Sequence, residues 1–168
     1  MKTIAFTKYG SPDLLEFKEI ETPIPNDDEV LIKVHAASIN SWDWELLRGI
    51  PFINRLRFGL LKPKIKTLGA DIAGRIIAIG KNIRKFSPGD EVLGDLSQDR
   101  WGGFAEYVCA SENSLALKLK SITFEEAAAI PQAAVLALQG IRDKGQVQAG
   151  QKVLINGAGG GVGTFAKF

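Results

Sequence analysis

The sequence VLINGAGGGVGTFAKF, residues 153–168, joins an apolar run to a glycine-rich turn and then to residues that can begin a helix. The apolar run KVLIN (152–156) has no alternation, which predicts a strand buried on both faces of a parallel sheet. Glycines at such a turn adopt backbone angles closed to other residues and let main-chain N–H groups approach a pyrophosphate. The strand–turn–helix order favours a dinucleotide site, with a flexible glycine turn as the alternative.

The glycines of this turn fit one spacing without exception. Gly157, Gly160 and Gly163 follow GxxGxxG, whereas GxGxxG would put Ala158 in the place of its first glycine. In dinucleotide-binding domains an acidic or basic residue about 20 positions further on reads the ribose, so this stretch does not choose between NAD and NADP. The residues predicted to bind the cofactor here are Gly157, Gly160, Gly161, Val162 and Gly163.

Composition narrows the class of protein. The 168 residues are 45% hydrophobic and 24% charged, which is typical of a globular protein of one domain, or of one domain with a fragment of another. The net charge of +2 gives no support to a nucleic-acid partner, and no apolar run approaches the length of a membrane span. A single cysteine, Cys109, excludes an internal disulfide framework. We therefore expect a cytoplasmic protein with neither a nucleic-acid nor a membrane partner.

Short apolar segments separated by turn signals fill the first part of the chain. Several strands at such close spacing predict a small sandwich or barrel. The helical segment SWDWELLRG interrupts them, with Ser41 as its N-cap and Gly49 as its end. The predicted strands are 29–38, 71–80, 91–96 and 103–111.

The pattern changes near residue 121, where the chain becomes rich in alanine. A Thr123 to Glu126 capping box opens a helical segment that ends near Gly140 or Gly145. Pro131 lies inside this segment, so we predict two helical pieces. We place the domain boundary between residues 1–122 and residues 123–168. The predicted fold class is mainly β with some α.

Seven motifs occur in one order along the chain and together resemble the medium-chain dehydrogenase/reductases, in particular their zinc-independent quinone oxidoreductase branch. The resemblance implies a GroES-like, partly open β-barrel followed by a Rossmann domain, with the active site in the cleft between them. Members of the family have about twice this length, so the chain is similar to the first domain plus the truncated start of the second. The motifs are VLIKVHAASIN, SWDWELLRG, LGADIAGRIIAIG, FSPGDEVLG, GGFAEYV, AAAIPQAAVLALQGI and VLINGAGGGVG.

The resemblance implies an NAD(P)H-dependent oxidoreductase that transfers hydride to a quinone or an enone. A conjugated carbonyl spreads the developing charge, so hydrogen-bond donors suffice where a simple ketone needs a Lewis acid. NADP(H) is favoured and NAD(H) is left open; family members also form dimers, which suggests a homo-oligomer. We expect the 168-residue chain alone to be inactive. The alternative is a non-catalytic GroES-like module, or a truncated product, that acts by binding.

Zinc is not expected. The zinc-dependent branch carries a cysteine and a Gly-His-Glu motif where this chain has Asn40-Ser41 and Gly69-Ala70-Asp71. Thiolate and imidazole ligands are therefore both missing. We interpret His35 as a packing or surface residue and Cys109 as a small buried side chain.

The candidate site residues lie around the predicted helix 41–49. Asn40 matches the cleft asparagine of the family and Asp43 a family aspartate, with helix capping as the alternative for both. Trp42 and Phe52 are predicted to line a substrate pocket. Core packing is the alternative for Trp42, as it is for Trp44 and Trp101.

Two further features bear on binding. Leu136 replaces a family threonine near the nicotinamide. The basic and apolar segment 51–67 resembles a membrane-surface or phosphate-attracting stretch, or else it is a rim loop with a solvated face.

Overall fold

The computed structural model describes residues 1–167, and the principal element of that part is a five-stranded antiparallel sheet with strand order β6-β3-β4-β5-β7. Four of its strands confirm strands expected from the sequence, three with bounds shorter by one residue and the last, predicted at 103–111, beginning only at Tyr107. The bounds are β3 Glu29–Ala37, β4 Asp71–Ile79, β5 Glu91–Asp95, β6 Tyr107–Ser111 and β7 Leu115–Leu117.

Alternating burial explains why β3 forms where it does. Val30 and Ile32 are buried, while Leu31 and Lys33 between them are more exposed, because side chains alternate across a strand. The longest ladder joins β3 to β4 and contains two register shifts, between Leu31 and Ile32 and between Val34 and Ala36. Such bulges bend the pair, as the curvature of a partly open barrel requires.

A second, two-stranded sheet was missed by the sequence analysis. β1 (Lys2–Ala5) pairs with β2 (Glu16–Glu19) in antiparallel register. Isolated bridges from Thr3 to Ala105 and from Ala5 to Thr67 attach this hairpin to the remaining chain. β2 has little burial, and Phe17 is 79% exposed, so the strand lacks the hydrophobic pattern by which strands are recognised.

Two helices lie between β3 and β4. α1 (Ser41–Arg48) follows β3 closely, and α2 (Ile53–Phe58) follows α1. Gly49 ends α1 in the left-handed conformation, with φ of 63°, as predicted. The prediction that Ser41 is the N-cap was wrong by one residue: Asn40 occupies that position, and Asp43 is the acidic residue three positions later.

The helical segment after residue 121 divides at Pro131, as predicted. α3 (Phe124–Ala128) opens with the Thr123 and Glu126 capping box, in which each main-chain N–H donates to the side chain of the other residue. α4 (Pro131–Leu138) continues into a π-helical turn at Gln139–Lys144, which ends at Gly145. Among residues 1–167, no helix is both long and apolar enough to cross a bilayer.

The prediction of a strand at residues 152–156 was wrong. Within residues 1–167 this segment pairs with no strand, and its side chains are not buried: Val153 is 50% exposed and Leu154 is 96% exposed. A parallel strand is held by its neighbours in the sheet, so its apolar sequence alone does not give it strand structure. The helix expected after the glycine turn is present as α5 (Gly161–Phe165). Phe168, the last residue of the predicted segment, lies outside the described residues.

Gly74 provides a test of how tightly β3 and β4 pack. A Cβ atom at this position would overlap the carbonyl oxygen of Lys33 and lie 2.7 Å from Ile32 Cγ2. We expect Gly74→Ala to lower the free energy of unfolding by about 1–3 kcal/mol, because a packed core resists added atoms. The measurement is urea denaturation of the two proteins.

Gly140→Ala is the matched control for this prediction. No atom lies within 4 Å of a Cβ built on Gly140, and this residue lies in the π-helical turn. The control should be neutral or stabilising by up to about 1 kcal/mol, since alanine loses less chain entropy on folding. Equal effects of the two substitutions would contradict the close packing described at Gly74.

Candidate functional site

The carboxylate of Asp43 ties the start of α1 to the turn that precedes β4. The main-chain N–H of Asn40 donates to Asp43 Oδ2 at 2.8 Å, and that of Gly69 donates to Oδ1 at 2.8 Å. Asp43 is only 2% exposed. Burial raises its pKa, while the hydrogen bonds from Asn40 and Gly69 partly offset that rise. The capping role considered for Asp43 is thus confirmed.

The turn at Gly69 has little room for another residue. Gly69 has φ of 96°, a conformation that side-chain-bearing residues rarely adopt. A Cβ here would lie 2.6 Å from the main-chain nitrogen of Phe104. Glycine therefore lets its N–H reach the Asp43 carboxylate while the chain passes close to Phe104.

Asp71, the first residue of β4, carries a second buried carboxyl. Its side chain is fully buried, and the main-chain N–H of Gln132 in α4 donates to Oδ2 at 3.0 Å. Among the described residues, Oδ1 has no hydrogen-bond partner. Burial raises the pKa of Asp71 to about 6. The hydrogen bond from Gln132 and the nearby Asn40 side chain lower this pKa, whereas the carboxylates of Asp95 and Asp43 raise it further. Asp71 thus connects the sheet to the beginning of α4.

The side chain of Asn40 lies near the Asp71 carboxyl and lowers its pKa. Its amide nitrogen donates weakly to Ser38 Oγ at 3.4 Å. The main-chain N–H of Ser38 donates to the Asp71 carbonyl at 3.1 Å. Asn40 is half-buried, so its amide sits at the border of the buried network.

A wide cavity of about 1110 Å³ opens beside this network. Its walls come from the end of β5 with the residues after it (93–99), from residues 111–116, and from α4 with its flanking residues (130–139). Trp42 of α1 completes the wall. Asn40 and Phe52 are outside this lining; Phe52 is 62% exposed, with the Arg55 guanidinium 5.7 Å from its ring centroid. Of the two predicted pocket residues, the structure places Trp42 at the cavity.

The three tryptophans have different surroundings. Trp101 is fully buried and packs in a core cluster with Phe6 and Leu46. Trp42 stacks on Trp101, with ring centroids 6.2 Å apart and planes 14° apart, and it remains 38% exposed. Trp44 is 47% exposed beneath the Arg48 guanidinium. Core packing therefore holds for Trp101, whereas Trp42 presents an aromatic surface to the cavity.

α4 contributes one face to the cavity and another to the glycine turn. Residues 132, 135, 136 and 139 line the cavity at helical spacing, so Leu136 lies there as an apolar group. Ala133 and Ala137 are buried, and a Cβ on Gly161 would meet Ala133 Cβ at 3.4 Å. The helix thus separates the cavity from the turn by its own width.

The glycine turn has the backbone features that its spacing predicts. Gly157 has φ of 76°, and the main-chain N–H of Gly160 donates to its carbonyl at 3.0 Å. A Cβ on Gly163 would lie 2.5 Å from Ala158 Cα, so only glycine allows this close approach. Val162 remains 41% exposed at the start of α5. The turn is therefore tight at Gly157 and at Gly163.

The expectations for the lone histidine and cysteine are confirmed. His35 is exposed and stacks on Phe124 with ring centroids 4.3 Å apart. Cys109 is buried, and burial, with a smaller effect from Glu29, raises the pKa of its thiol to about 11. Among residues 1–167, no group of three histidine, cysteine, aspartate or glutamate side chains could hold a metal ion.

Comparison with known proteins assigns this architecture. Residues 26–121 match the alcohol dehydrogenase GroES-like domain. The chain belongs to this family. The predicted resemblance to the medium-chain dehydrogenase/reductases and the predicted fold class are thereby confirmed.

The relatives of the chain are oxidoreductases. The chloroplastic quinone-oxidoreductase homolog of Spinacia oleracea is 35% identical over 173 residues, which cover 99% of this chain and 51% of that protein. The mitochondrial NAD(P)H oxidoreductase RTN4IP1 of Bos taurus is 39% identical, over 95% of this chain and 43% of that protein. The quinone oxidoreductase structure from Coxiella burnetii has a TM-score of 0.88 and 37% identity, over 99% and 51% of the two chains. The chain spans about half the length of the curated relatives it matches.

Four residues that build this site were not predicted from the sequence. Asp71 and Gln132 join β4 to α4, and Asp95 and Asp99 contribute carboxylates to the cavity wall. Asp71 left a signal that could have been used, because it is an acidic residue between apolar neighbours at the start of a predicted strand. Gln132 acts through its main-chain N–H, which no side-chain pattern reveals. Asp95 and Asp99 lie at the end of a strand and in the turn after it, where carboxylates are common, so they left no signal.

The raised pKa of Asp71 predicts a pH-dependent stability. The folded protein holds this proton more tightly than the unfolded chain, so the contribution of Asp71 to stability is fully present below the ordinary aspartate pKa and is lost as the pH rises through about 6. The quantity to compare is the free energy of unfolding of wild type minus that of Asp71→Asn. We expect this difference to fall by about 2–3 kcal/mol between about pH 4 and about pH 7. Denaturant titrations across that range measure it.

Asp143→Asn is the control of opposite sign. Arg142 lowers the pKa of the exposed Asp143, so the corresponding difference should rise with pH. A pH-independent difference for Asp71→Asn would show that this carboxyl is not held in the environment described here.

Proposed function

We propose that the chain is the substrate-side part of an NAD(P)H-dependent reductase of quinones or enones. The observation that carries the proposal is the arrangement around α4, with a wide cavity on one face and the glycine turn on another. The quinone and NAD(P)H oxidoreductases among its relatives support this proposal. Residues 1–122 would form the GroES-like domain, and residues 123–168 would lead into the cofactor-binding domain. A cytoplasmic location and a homo-oligomer complete the proposal.

The glycine turn fits the pyrophosphate of a nicotinamide dinucleotide. Gly157 and Gly163 give the backbone its tight shape, and a Cβ built on Gly159 would meet no atom within 4 Å, so that side of the turn is open. The main-chain N–H groups of Gly161 and Val162 would hold the phosphates, while Gly160, whose N–H donates to Gly157, would keep the turn in shape. When bound, the reduced nicotinamide supplies hydride. NADP(H) is our preferred cofactor on the family resemblance alone, and NAD(H) is the alternative.

Residues near the cavity would bind and orient the acceptor. Trp42 offers its aromatic face to a flat conjugated ring, and Leu136 adds an apolar contact. Asn40 would donate a hydrogen bond from its amide to the acceptor carbonyl or to the cofactor. Asp43 and Asp71 act through Asn40 and α4 as positioning residues. A quinone would gain the hydride and one proton from solvent, giving a hydroquinone and the oxidised nicotinamide.

Zinc does not fit this site. Asn40 and Ala70 occupy the positions where the resemblance places zinc ligands in the alcohol dehydrogenase branch. Alanine has no donor atom, and an amide is a poor replacement for a thiolate. We propose that the residues of this chain polarise the acceptor by hydrogen bonds.

The proposal is tested on the complete protein that the gene encodes, by following the oxidation of NADPH and of NADH with naphthoquinone as acceptor. We expect acceptor-dependent oxidation of one nucleotide in preference to the other. Failure to oxidise either nucleotide with naphthoquinone and with a simple enone would contradict the proposal and favour the non-catalytic alternative.

Asn40→Ala tests the proposed hydrogen bond. The cap bond to Asp43 uses the main-chain N–H of Asn40, so it survives the substitution. We expect kcat/KM for naphthoquinone to fall by at least about tenfold, because the amide donor is lost. The control is Asn82→Ala, an exposed asparagine whose amide donates to Asp28. Equal kinetics of the two variants would remove Asn40 from the mechanism.

A further inference from the structure

The cavity wall carries negative charge, which bears on the acceptors that the cavity can bind. The inference drawn from this charge rests on the proposed reductase function. Asp95 and Asp99 line the cavity, and within residues 1–167 no lysine, arginine or histidine side chain does so. The other polar wall groups are hydroxyls and amides of serine, asparagine and glutamine. An acceptor entering this space meets negative charge without a compensating cation.

Both carboxylates are fixed in place by the main chain. The N–H of Ser97 donates to Asp95 Oδ1 at 2.8 Å, and that of Ser111 donates to Asp99 Oδ2 at 3.0 Å. Each side chain is half-buried, so neither is free to turn away from a bound molecule. Partial burial also reduces solvent screening and strengthens their effect on a nearby charge.

The buried network adds to this field. Asp95 pairs with Asp71 across β4 and β5, and its charge raises the pKa values of Asp71 and Asp43. Lys85 contacts the wall from outside the lining, where its Nζ donates to Asn113 Oδ1 at 2.8 Å. Lys85 also lies close to Glu112, whose pKa its charge helps to lower. The carboxylates of Asp95 and Asp99, in contrast, belong to residues that line the cavity itself.

The wall opposes anions while its apolar part favours flat rings. Trp42, backed by Trp101, gives a rigid aromatic surface. Leu93, Leu115, Val135 and Leu136 add apolar contacts around it. Planar conjugated rings stack on such surfaces.

We infer that the cavity selects flat, uncharged conjugated carbonyl compounds such as quinones. It rejects acceptors that carry a carboxylate, sulfonate or phosphate group. Specificity of this kind comes from placing like charge against the wrong ligand. Asp95 and Asp99 are the residues that determine it.

The test compares naphthoquinone with its sulfonated derivative on the complete protein. The ratio of kcat/KM for the sulfonated compound to that for naphthoquinone is measured for wild type, for Asp95→Asn and for the double variant Asp95→Asn/Asp99→Asn. Asparagine keeps an oxygen that accepts the main-chain N–H, so the wall keeps its shape. We expect the ratio to rise by about tenfold in the double variant, since repulsion of this size follows from charges a few ångströms apart. Comparing the ratio between variants cancels the intrinsic reactivities of the two compounds.

Asp13→Asn, at an exposed carboxyl in the N-terminal part of the chain, is the control, and its ratio should equal that of wild type. Quenching of tryptophan fluorescence gives a second ratio, that of the dissociation constants of the two compounds, because Trp42 lines the cavity. Absence of turnover would overturn the proposed reaction, whereas the ratio of dissociation constants still decides charge selection. An unchanged ratio in the double variant would overturn the inference.

Discussion

The buried carboxylate of Asp43 connects two segments that the chain separates by 26 residues. It accepts the N–H that opens α1 and the N–H of Gly69 just before β4. Each N–H would be left without a partner if the carboxylate were absent, and a buried N–H without a partner is strongly unfavourable. The Asp43 carboxylate therefore fixes the start of α1 against the turn before β4, while Leu46 and Leu47 pack the rest of the helix into a core cluster.

The consequences extend to α4 and to the cavity. With β4 in place, Asp71 lies at its first position and accepts the N–H of Gln132. That bond sets the start of α4, whose side chains form one wall of the cavity and whose opposite side carries the glycine turn. Trp42, on the first turn of α1, forms part of another wall. Two carboxyls thus set the relative places of the elements proposed to bind acceptor and cofactor.

Local signals in the sequence predicted much of this fold. Apolar segments between turn signals predicted β3 to β6, and the Thr123 capping box, Gly49 and Pro131 predicted the ends of helices, because each effect acts within a few residues. β2 was not predicted because its side chains are exposed. Residues 152–156 were wrongly predicted to form a strand because strand structure depends on neighbouring strands. A pattern within a few residues does not show whether a neighbouring strand is present to pair with them.

The site was less predictable than the fold. Resemblance identified Asn40 and Asp43, and the glycine spacing identified the turn. The bond between Asp71 and Gln132 joins residues 61 apart, and the cavity carboxylates come from the last residue of β5 and from the turn after it. Charge selection is a property of several segments together, so it becomes visible only when their side chains share one space.

The free energy of unfolding of Asp43→Ala, compared with Glu45→Ala on the same helix, tests most directly whether the Asp43 carboxylate holds the site together. Among the described residues the Glu45 side chain makes no hydrogen bond. We predict a loss of about 2–4 kcal/mol for Asp43→Ala, because two N–H groups lose their acceptor, and a loss within about 0.5 kcal/mol for Glu45→Ala. Losses of equal size in the two variants would contradict this role.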